Sequence, residues 1–439
     1  MKVMKFGGTS VGSASRIKNV ADLVKSRGRN IIVLSAMSGT TNTLVSIADY
    51  YYKSNIPGAM ETINALGQKY AATIEELFEK ETSKESAHKA IDETLTLLRY
   101  KSKQSPFTAV DEKEVLSRGE LMSTALMALY LQEQGINVAL LPALEFMRTN
   151  VNGEPDTEFL STHLREMMNG HSDAEIFLTQ GFICMNSDGG IDNLQRGGSD
   201  YTASLIGAAI GADEIEIWTD IDGMHNNDPR YVEGTAPVKQ LHFDEAAELA
   251  YFGAKILHPT CVLPAKLNNI PVRLLNTMDP EAEGTLIFNA RPDHTIKAVA
   301  AKDNITAIKI KSGRMLLAYG FLRKVFEIFE NYRTPIDMIV TSEVGVSVTI
   351  DNEKNLDAIV DDLRKFGTVT VDRDMVIICV VGDLEWQNRG FEANVVNALK
   401  DIPVRMISYG GSNYNISLLV RKSDKIKALN LLSRGLFNN

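Results

Sequence analysis

The chain has 439 residues, 44% hydrophobic and 23% charged, with a formal net charge of −10. A single hydrophobic core stops growing at roughly 250–300 residues, so at least two domains are expected, in an ordinary globular composition. With no basic tail and no Lys/Arg cluster, nucleic acid and anionic membrane are excluded as partners, although anionic substrates need only local positive groups.

The first two-thirds of the sequence alternates strand and helix. Short apolar runs at 1–6, 31–36, 137–142, 175–183, 213–218 and 270–275 read as strands, and 14–26, 116–134, 200–211 and 244–256 as helices. This alternation predicts an α/β domain with a mostly parallel sheet and helices on both faces. Residues 59–103 break the rhythm with a charged helical excursion solvated on one face. After ARPDHT at 290–295 the units shorten. One reads strand 305–311, helix 320–333, strands 336–342 and 344–351, helix 355–367, strand 368–373; the next reads strand 375–382, helix 390–400, strands 402–409 and 414–421, helix 424–436. Both approximate the ferredoxin-like order β-α-β-β-α-β. The second lacks a final strand, which leaves room for strand exchange between them. The expected division is therefore 1–295, 296–373 and 374–439.

No apolar run approaches the length of a membrane helix, and MKVMKFGGTS lacks the apolar core of a signal peptide. Cys184, Cys261 and Cys379 are far apart with no CxxC pair, so packed core thiols in a reducing cytoplasm are expected, with neither a zinc site nor a disulfide framework.

Four loops carry the chemistry. KFGGTS (5–10) lies between a strand and a helix. Gly7 and Gly8 let backbone N–H groups approach an anion, and Lys5 stands beside them to neutralise a transferring phosphoryl group. The competing reading is a Gly-rich turn with a surface lysine; it is not a Walker A loop, since GxxxxGK[ST] is absent. SAMSGTTN (35–42) is a polar loop at a strand's C-terminal end, where parallel sheets bind ligands, or an ordinary turn. RGGSD (196–200) offers a guanidinium, two glycines and a carboxylate: Arg196 could hold a substrate carboxylate and Asp200 could orient Lys5, or Ser199 and Asp200 could simply cap a helix. WTDIDGMHNNDPR (218–230) clusters Asp220, Asp222, Asp228 and Arg230 but lacks the register of an EF-hand, which favours a nucleotide-contacting loop. FGAKILHP (252–259) adds Lys255, and GELMST (119–124) adds Glu120, either a helix-dipole carboxylate or an anchor for an ammonium.

Together KFGGTS, VLSAMSGTTN, SRGELMST, MRTN, TQGF, RGGSDYTA, WTDIDGMHNNDPR and FGAKILHP, in this order, closely resemble aspartate kinase of the amino-acid-kinase superfamily. The resemblance covers about the first 290 residues, and the tail resembles two ACT domains, the amino-acid-sensing modules of that family. It implies phosphorylation of the side-chain carboxylate of L-aspartate by ATP. Lys5 and Asp200 would be catalytic. Ser35, Thr41, Glu120, Phe182, Arg196, Ser199 and Asp200 would bind aspartate, with Glu120 on its ammonium and Arg196 on a carboxylate. Lys5, Gly7, Gly8, Thr219, Asp220, His225, Arg230 and Lys255 would meet ATP, His225 standing where many relatives carry Tyr. Mg2+ would arrive with ATP, and no dedicated protein metal site is expected.

IDMIVTSEVGVSVTID (336–351) resembles the first ACT domain of lysine-sensitive members. Asp337 would pair with an effector ammonium, and Thr341, Ser342 and Glu343 would contact it across a homodimer interface. The loop MLLAYGFL (315–322), with Met315, Ala318, Gly320, Phe321 and Leu322, would serve the effector carboxylate. Here Leu317, Ala318 and Tyr319 replace a polar HSR stretch of relatives. Lysine is the expected effector and threonine the alternative, in a dimer or a tetramer. With no fused dehydrogenase sequence, a monofunctional enzyme is expected. The competing readings are a sister kinase acting on glutamate, acetylglutamate or a nucleotide, and a catalytically silent amino-acid sensor.

Overall fold

The computed structural model describes all residues except 195–196, 254–256, 258, 292, 314–318 and 438–439. In chain order, the elements begin β1 (Val3–Phe6), α1 (Ala14–Ser26), β2 (Asn30–Leu34), α2 (Thr40–Tyr52), α3 (Ile56–Leu77), α4 (Glu81–Lys101) and α5 (Ala109–Glu133). There follow β3 (Val138–Leu141), α6 (Ala143–Phe146), α7 (Thr157–Gly170), β4 (Ile176–Gln180), β5 (Ile183–Met185), β6 (Ile191–Asn193), α8 (Gly198–Ile210) and β7 (Ile215–Thr219). The remainder is β8 (Gln240–His242), α9 (Phe243–Tyr251), α10 (Pro259–Leu267), β9 (Val272–Asn276), β10 (Thr285–Phe288), β11 (Ile296–Lys311), α11 (Phe321–Asn331), β12 (Ile339–Ser342), β13 (Gly345–Ile350), α12 (Leu356–Arg364), β14 (Thr368–Gly382), α13 (Phe391–Ala398), β15 (Met406–Ser408), β16 (Asn415–Arg421) and α14 (Lys425–Phe437).

Two compact units result. The first comprises Met1–Gly223 and Leu257–Asn289, the second Met224–Ile256 and Ala290–Asn439. Residues 224–256 therefore cluster with the C-terminal third, where linear reading places them in one segment with 1–223.

In the first unit, β3, β4, β2, β1, β7 and β9 lie side by side and parallel, with β10 antiparallel on β9. The inner strands are mostly apolar, as burial on both faces favours, with Lys5 in β1 and the buried Glu216 in β7 as charged exceptions. Val3, Met4, Phe6 and Ile31–Leu34 are essentially inaccessible. Helices α2–α5 form one core with this sheet through Leu44, Ile47, Ile63, Tyr70, Leu98 and Leu126. The excursion is thus bound to the sheet domain along one face, its opposite face being charged.

Several elements differ from the sequence expectation. The loop expected over 35–42 runs into α2, whose Thr- and Tyr-rich sequence is a poor helix former; Leu44, Ile47, Ala48 and Tyr51 recur at helical spacing and packing decides. The long helix begins at Ala109 rather than 116, fixed by a capping box between Thr108 and Asp111. The strand over 175–183 breaks at Phe182, whose φ of 68° lies in the left-handed region, and continues as a separate β5–β6 hairpin. The helix over 244–256 ends at Tyr251.

In the second unit the two ferredoxin-like repeats share one antiparallel sheet, ordered β12-β13-β11-β14-β16-β15. The first half of β11, preceding the first repeat, pairs with the second half of β14 (Val299 with Val380, Ala301 with Ile378) and so supplies the strand missing from the second repeat. A register shift between Lys302 and Ile305 separates the two halves. Segment 224–256 is fastened to this sheet: the Val299 N–H donates to the Asn226 carbonyl at 2.8 Å, and Asn227 Nδ2 to the Leu429 carbonyl at 3.1 Å. Cys184, Cys261 and Cys379 are buried thiols that form no disulfide among the described residues, and burial pushes the Cys184 thiol up to about 12. Among the described residues no helix is long and apolar enough to cross a membrane.

Candidate active site

The residues singled out in the first unit converge at the C-terminal ends of β1, β2, β4 and β7, the edge at which open parallel sheets receive ligands. Beyond β1 the chain turns through Gly7 and Gly8. The Gly7 N–H donates to the Trp218 carbonyl at 3.2 Å, and the Gly8 carbonyl accepts from the Ser38 N–H at 3.0 Å. A Cβ on Gly8 would stand 2.7 Å from the Ala36 carbonyl oxygen, so only glycine lets these two loops close on each other. Gly8→Ala is expected to push the loops apart and cut kcat/KM at least about ten-fold, with far smaller loss of thermal stability; parallel kinetics and melting curves check this.

Lys5, the penultimate residue of β1, places Nζ 2.7 Å from Asp200 Oδ1 in the first turn of α8. Both side chains are mostly buried. Because β1 lies between β2 and β7, residues 195 positions apart meet at one strand end. Ser35, just past β2, donates from Oγ to Ser199 Oγ at 2.9 Å. Its carbonyl accepts from Ser123 Oγ at 2.8 Å. Glu120, inside α5, accepts from the Ala36 N–H at 3.2 Å. It is 3% exposed, and its Oε2 has no hydrogen-bond partner among the described residues. Burial drives its carboxyl up to about 7, against the opposing pull of the Ala36 N–H and the Lys5 charge. A buried carboxylate oxygen with a spare lone pair is suited to a cation.

Phe182 is half-buried at its left-handed turn; its N–H donates to Thr202 Oγ1 at 3.0 Å, and a Cβ on Gly198 would strike its ring at 2.4 Å. Thr41 opens α2. Thr219 ends β7, and its hydroxyl contacts the exposed Asp220 at 3.1 Å. Arg196 and Lys255 lie outside the described residues. His225 and Arg230 belong to the second unit. His225 Nδ1 lies 3.0 Å from Thr235 Oγ1. The Arg230 guanidinium grips Asp228 with Nε–Oδ1 2.9 Å and Nη2–Oδ2 2.6 Å, which holds that carboxyl below its usual range against the opposing effect of burial.

Sequence reasoning missed the part played by α3. Lys69 Nζ donates to the Ser38 carbonyl, and the Tyr70 hydroxyl lies 3.1 Å from Thr40 Oγ1, so consecutive residues of the excursion hold the loop after β2 and the start of α2. Burial lowers the Lys69 pKa. The only sequence signal was a lysine–tyrosine pair in an otherwise apolar-spaced helix, which composition alone does not distinguish from a solvated face.

Of the expected effector residues, Gly320 caps α11 with φ 80°, Phe321 is buried as its first residue, and Leu322 follows exposed. Thr341 and Ser342 lie on β12, Glu343 in the turn beyond, and Asp337 just before the strand. Met315 and Ala318 lie outside the described residues.

The chain matches the family model described as the amino acid kinase family over residues 1–276, and an ACT domain model over residues 378–436. It is 33% identical to lysine-sensitive aspartokinase 3 of Escherichia coli, covering 99% of both chains. It is 35% identical to the chloroplastic aspartokinase 1 of Arabidopsis thaliana, over 100% of this chain and 80% of that one. In three dimensions it is similar to E. coli aspartokinase III in complex with aspartate and ADP, with a TM-score of 0.84, 32% identity and complete coverage of both chains. The lysine and aspartate complex of that enzyme gives a TM-score of 0.81 at 33% identity, over 100% of this chain and 99% of that one. With its glycine nest, its Lys5–Asp200 pair and its ACT-bearing tail, the chain belongs to the amino acid kinase family, among the aspartokinases.

Proposed function

We propose that the chain transfers the γ-phosphoryl group of ATP to the side-chain carboxylate of L-aspartate, forming 4-phospho-L-aspartate and ADP. The observation that carries this reading is the Lys5–Asp200 pair beside the Gly7–Gly8 turn, with the buried, half-partnered Glu120 of α5 against the loop after β2. An aspartate side chain is ionised at neutral pH, so it needs no general base. Its oxygen attacks the γ-phosphorus, the bond to the bridging oxygen breaks, and that electron pair leaves on ADP. The protein's share is positioning and charge stabilisation. Lys5 neutralises the moving phosphoryl group while Asp200 fixes the direction of its ammonium. Opposite unit charges about 4 Å apart attract by about 4 kcal/mol at an effective dielectric near 20. Ser35 and Ser199 orient the substrate, Glu120 holds its ammonium and Arg196 a carboxylate. Mg2+, carried in by ATP, would offset phosphate charge, held mainly by phosphate oxygens and water.

The regulatory reading is that residues 296–373 and 374–439 act as ACT domains, pairing in a homodimer and binding an amino acid at Asp337. Lysine is the effector favoured, because the E. coli relative named lysine-sensitive aligns over the full chain. The cytoplasm is the compartment this reading implies. Asp337→Asn is expected to raise the lysine needed for half-inhibition at least about ten-fold, within the usual size of an allosteric coupling. An unchanged inhibition curve would move the effector site elsewhere.

Comparing ADP release with L-aspartate, L-glutamate and N-acetylglutamate as acceptors tests the substrate. Turnover confined to aspartate is the expected result, and equal or better turnover of another acceptor would replace this reading with a sister kinase.

A further inference from the structure

Asp337, the carboxylate assigned above to an effector ammonium, is held by an ammonium of this chain. Lys302, on β11, places Nζ 2.6 Å from Asp337 Oδ1 and 3.0 Å from Asp351 Oδ2. The hydroxyl of Tyr251, the last residue of α9, donates to the same Asp337 oxygen at 2.9 Å. The Lys302 ammonium also stands 4.5 Å from the centre of the Tyr251 ring. The Asp337 side chain is only 2% exposed, yet its Oδ2 is buried without a hydrogen-bond partner among the described residues. Burial raises the Asp337 carboxyl pKa, opposed by Lys302 and Tyr251. Burial would lower that of Lys302, but the two carboxylates hold it raised.

Two carboxylates and an aromatic face around a flexible four-carbon stem make a cage for a primary alkylammonium. The group now in it is a lysine side chain, the same chemical piece that free lysine would offer. Threonine carries its ammonium only beside its own carboxylate, which would be driven against Asp337 and Asp351. The ε end of lysine has no such neighbour. The cage also touches α9. Beyond Tyr251, a Cβ on Gly253 would stand 2.3 Å from the Ala301 carbonyl oxygen, so the end of α9 is tied to β11 one residue from Lys302. Helix α9 lies in segment 224–256, which carries the expected nucleotide residues His225, Arg230 and Lys255.

We infer that Lys302 and Tyr251 belong to the effector site, which takes a primary alkylammonium of the lysine kind by exchanging it for Lys302 on Asp337. The exchange releases Tyr251 and the end of α9 from the regulatory sheet. This inference rests on the effector reading of Asp337. It assigns the site's selectivity to the alkylammonium cage and its signal to α9.

Calorimetric titration of L-lysine, L-threonine and L-norleucine into the full chain tests it without reference to catalysis. Norleucine keeps the α-amino acid and lacks the ε-ammonium. Lysine is expected to bind at least about ten-fold more tightly than either, a difference that charge-assisted pairing supplies. Lys302→Met, which vacates the cage, is expected to tighten lysine about five-fold or more and leave norleucine unchanged. Should that variant fail to fold, Tyr251→Phe keeps the ring and removes one hydrogen bond. It is expected to tighten lysine about two- to three-fold and to leave more activity at saturating lysine. Equal binding of norleucine and lysine, no lysine binding, or an affinity unmoved or weakened in both variants would overturn the exchange. Tight, Lys302-sensitive lysine binding by a chain that never consumes ATP with aspartate would support the exchange and strike the kinase reading instead.

Discussion

Lys5→Met is expected to lower kcat by about 10³-fold or more while the melting temperature moves by only a few degrees, since removing one preorganised charge at a reacting centre costs on that order. The structural reason is the division of labour at the end of β1. The Lys5 stem lies along a strand whose neighbours are fully buried, so its ammonium emerges at one defined point, 2.7 Å from Asp200. Methionine keeps the stem and removes the charge. Asp200 Oδ1 is buried and loses its one charged neighbour among the described residues, but Asp200 sits in the first turn of α8, where the helix dipole favours a carboxylate, and the rest of its side chain is partly exposed. The loss should therefore fall on kcat with little change in stability, and steady-state kinetics beside a thermal melt separates the two. A variant that retains normal turnover would remove Lys5 from the mechanism.

Glu120→Gln should raise the aspartate KM about 10²-fold, because a charge-assisted contact to the substrate ammonium becomes a neutral one in a buried place. The pH dependence gives a sharper result. The Glu120 carboxyl is raised from 4.5 to about 7 by burial, so aspartate must bind to a site whose ammonium partner is largely protonated below neutrality. In the unsubstituted chain the apparent affinity for aspartate should climb steeply between about pH 5.5 and 7 and flatten above, and the Gln variant should lack that rise. The stability sign is opposite. Between pH 4.5 and about 7 the unfolded chain has lost the Glu120 proton while the folded chain retains it. Stability therefore falls as pH rises through that window, by about 3 kcal/mol in all, and is fully present only below it. Glu120→Gln should remove this slope and melt higher than the parent at pH 8, even as it binds aspartate poorly. A variant that loses both stability and affinity at pH 8 would make Glu120 a structural residue.

The strands of the parallel sheet were legible because each is a mostly apolar run bounded by turn residues, and Lys5 and Asp200 stood out because each adjoins a glycine-rich turn. Their contact was not legible: it depends on β1 lying between β2 and β7, which spacing along the chain does not encode. Helix α2 was hidden by its threonines and tyrosines, and the break at Phe182 by an apolar sequence that continues unbroken into Ile183. Lys69 and Tyr70 did not stand out from a helical excursion read as solvated on one face, because their partners, Ser38 in the loop after β2 and Thr40 at the start of α2, are distant in sequence. The tail was read nearly element by element, since its amphipathic helices and alternating strands are local patterns. The second repeat's lack of a final strand was legible and left strand exchange open, but the source of that strand was not, because 296–302 supply it from ahead of the first. Segment 224–256 joins the unit of the tail through the Asn226 and Asn227 contacts, which no periodicity announces.

The most direct test of the account is to incubate the chain with MgATP, L-aspartate and hydroxylamine, and to measure hydroxamate beside ADP. An acyl phosphate on the aspartate side chain must yield aspartyl hydroxamate. Equal amounts of hydroxamate and ADP, both dependent on aspartate and both abolished by Lys5→Met, are the predicted result. ADP formed without hydroxamate, or no aspartate-dependent ADP at all, would contradict carboxylate phosphorylation at this site.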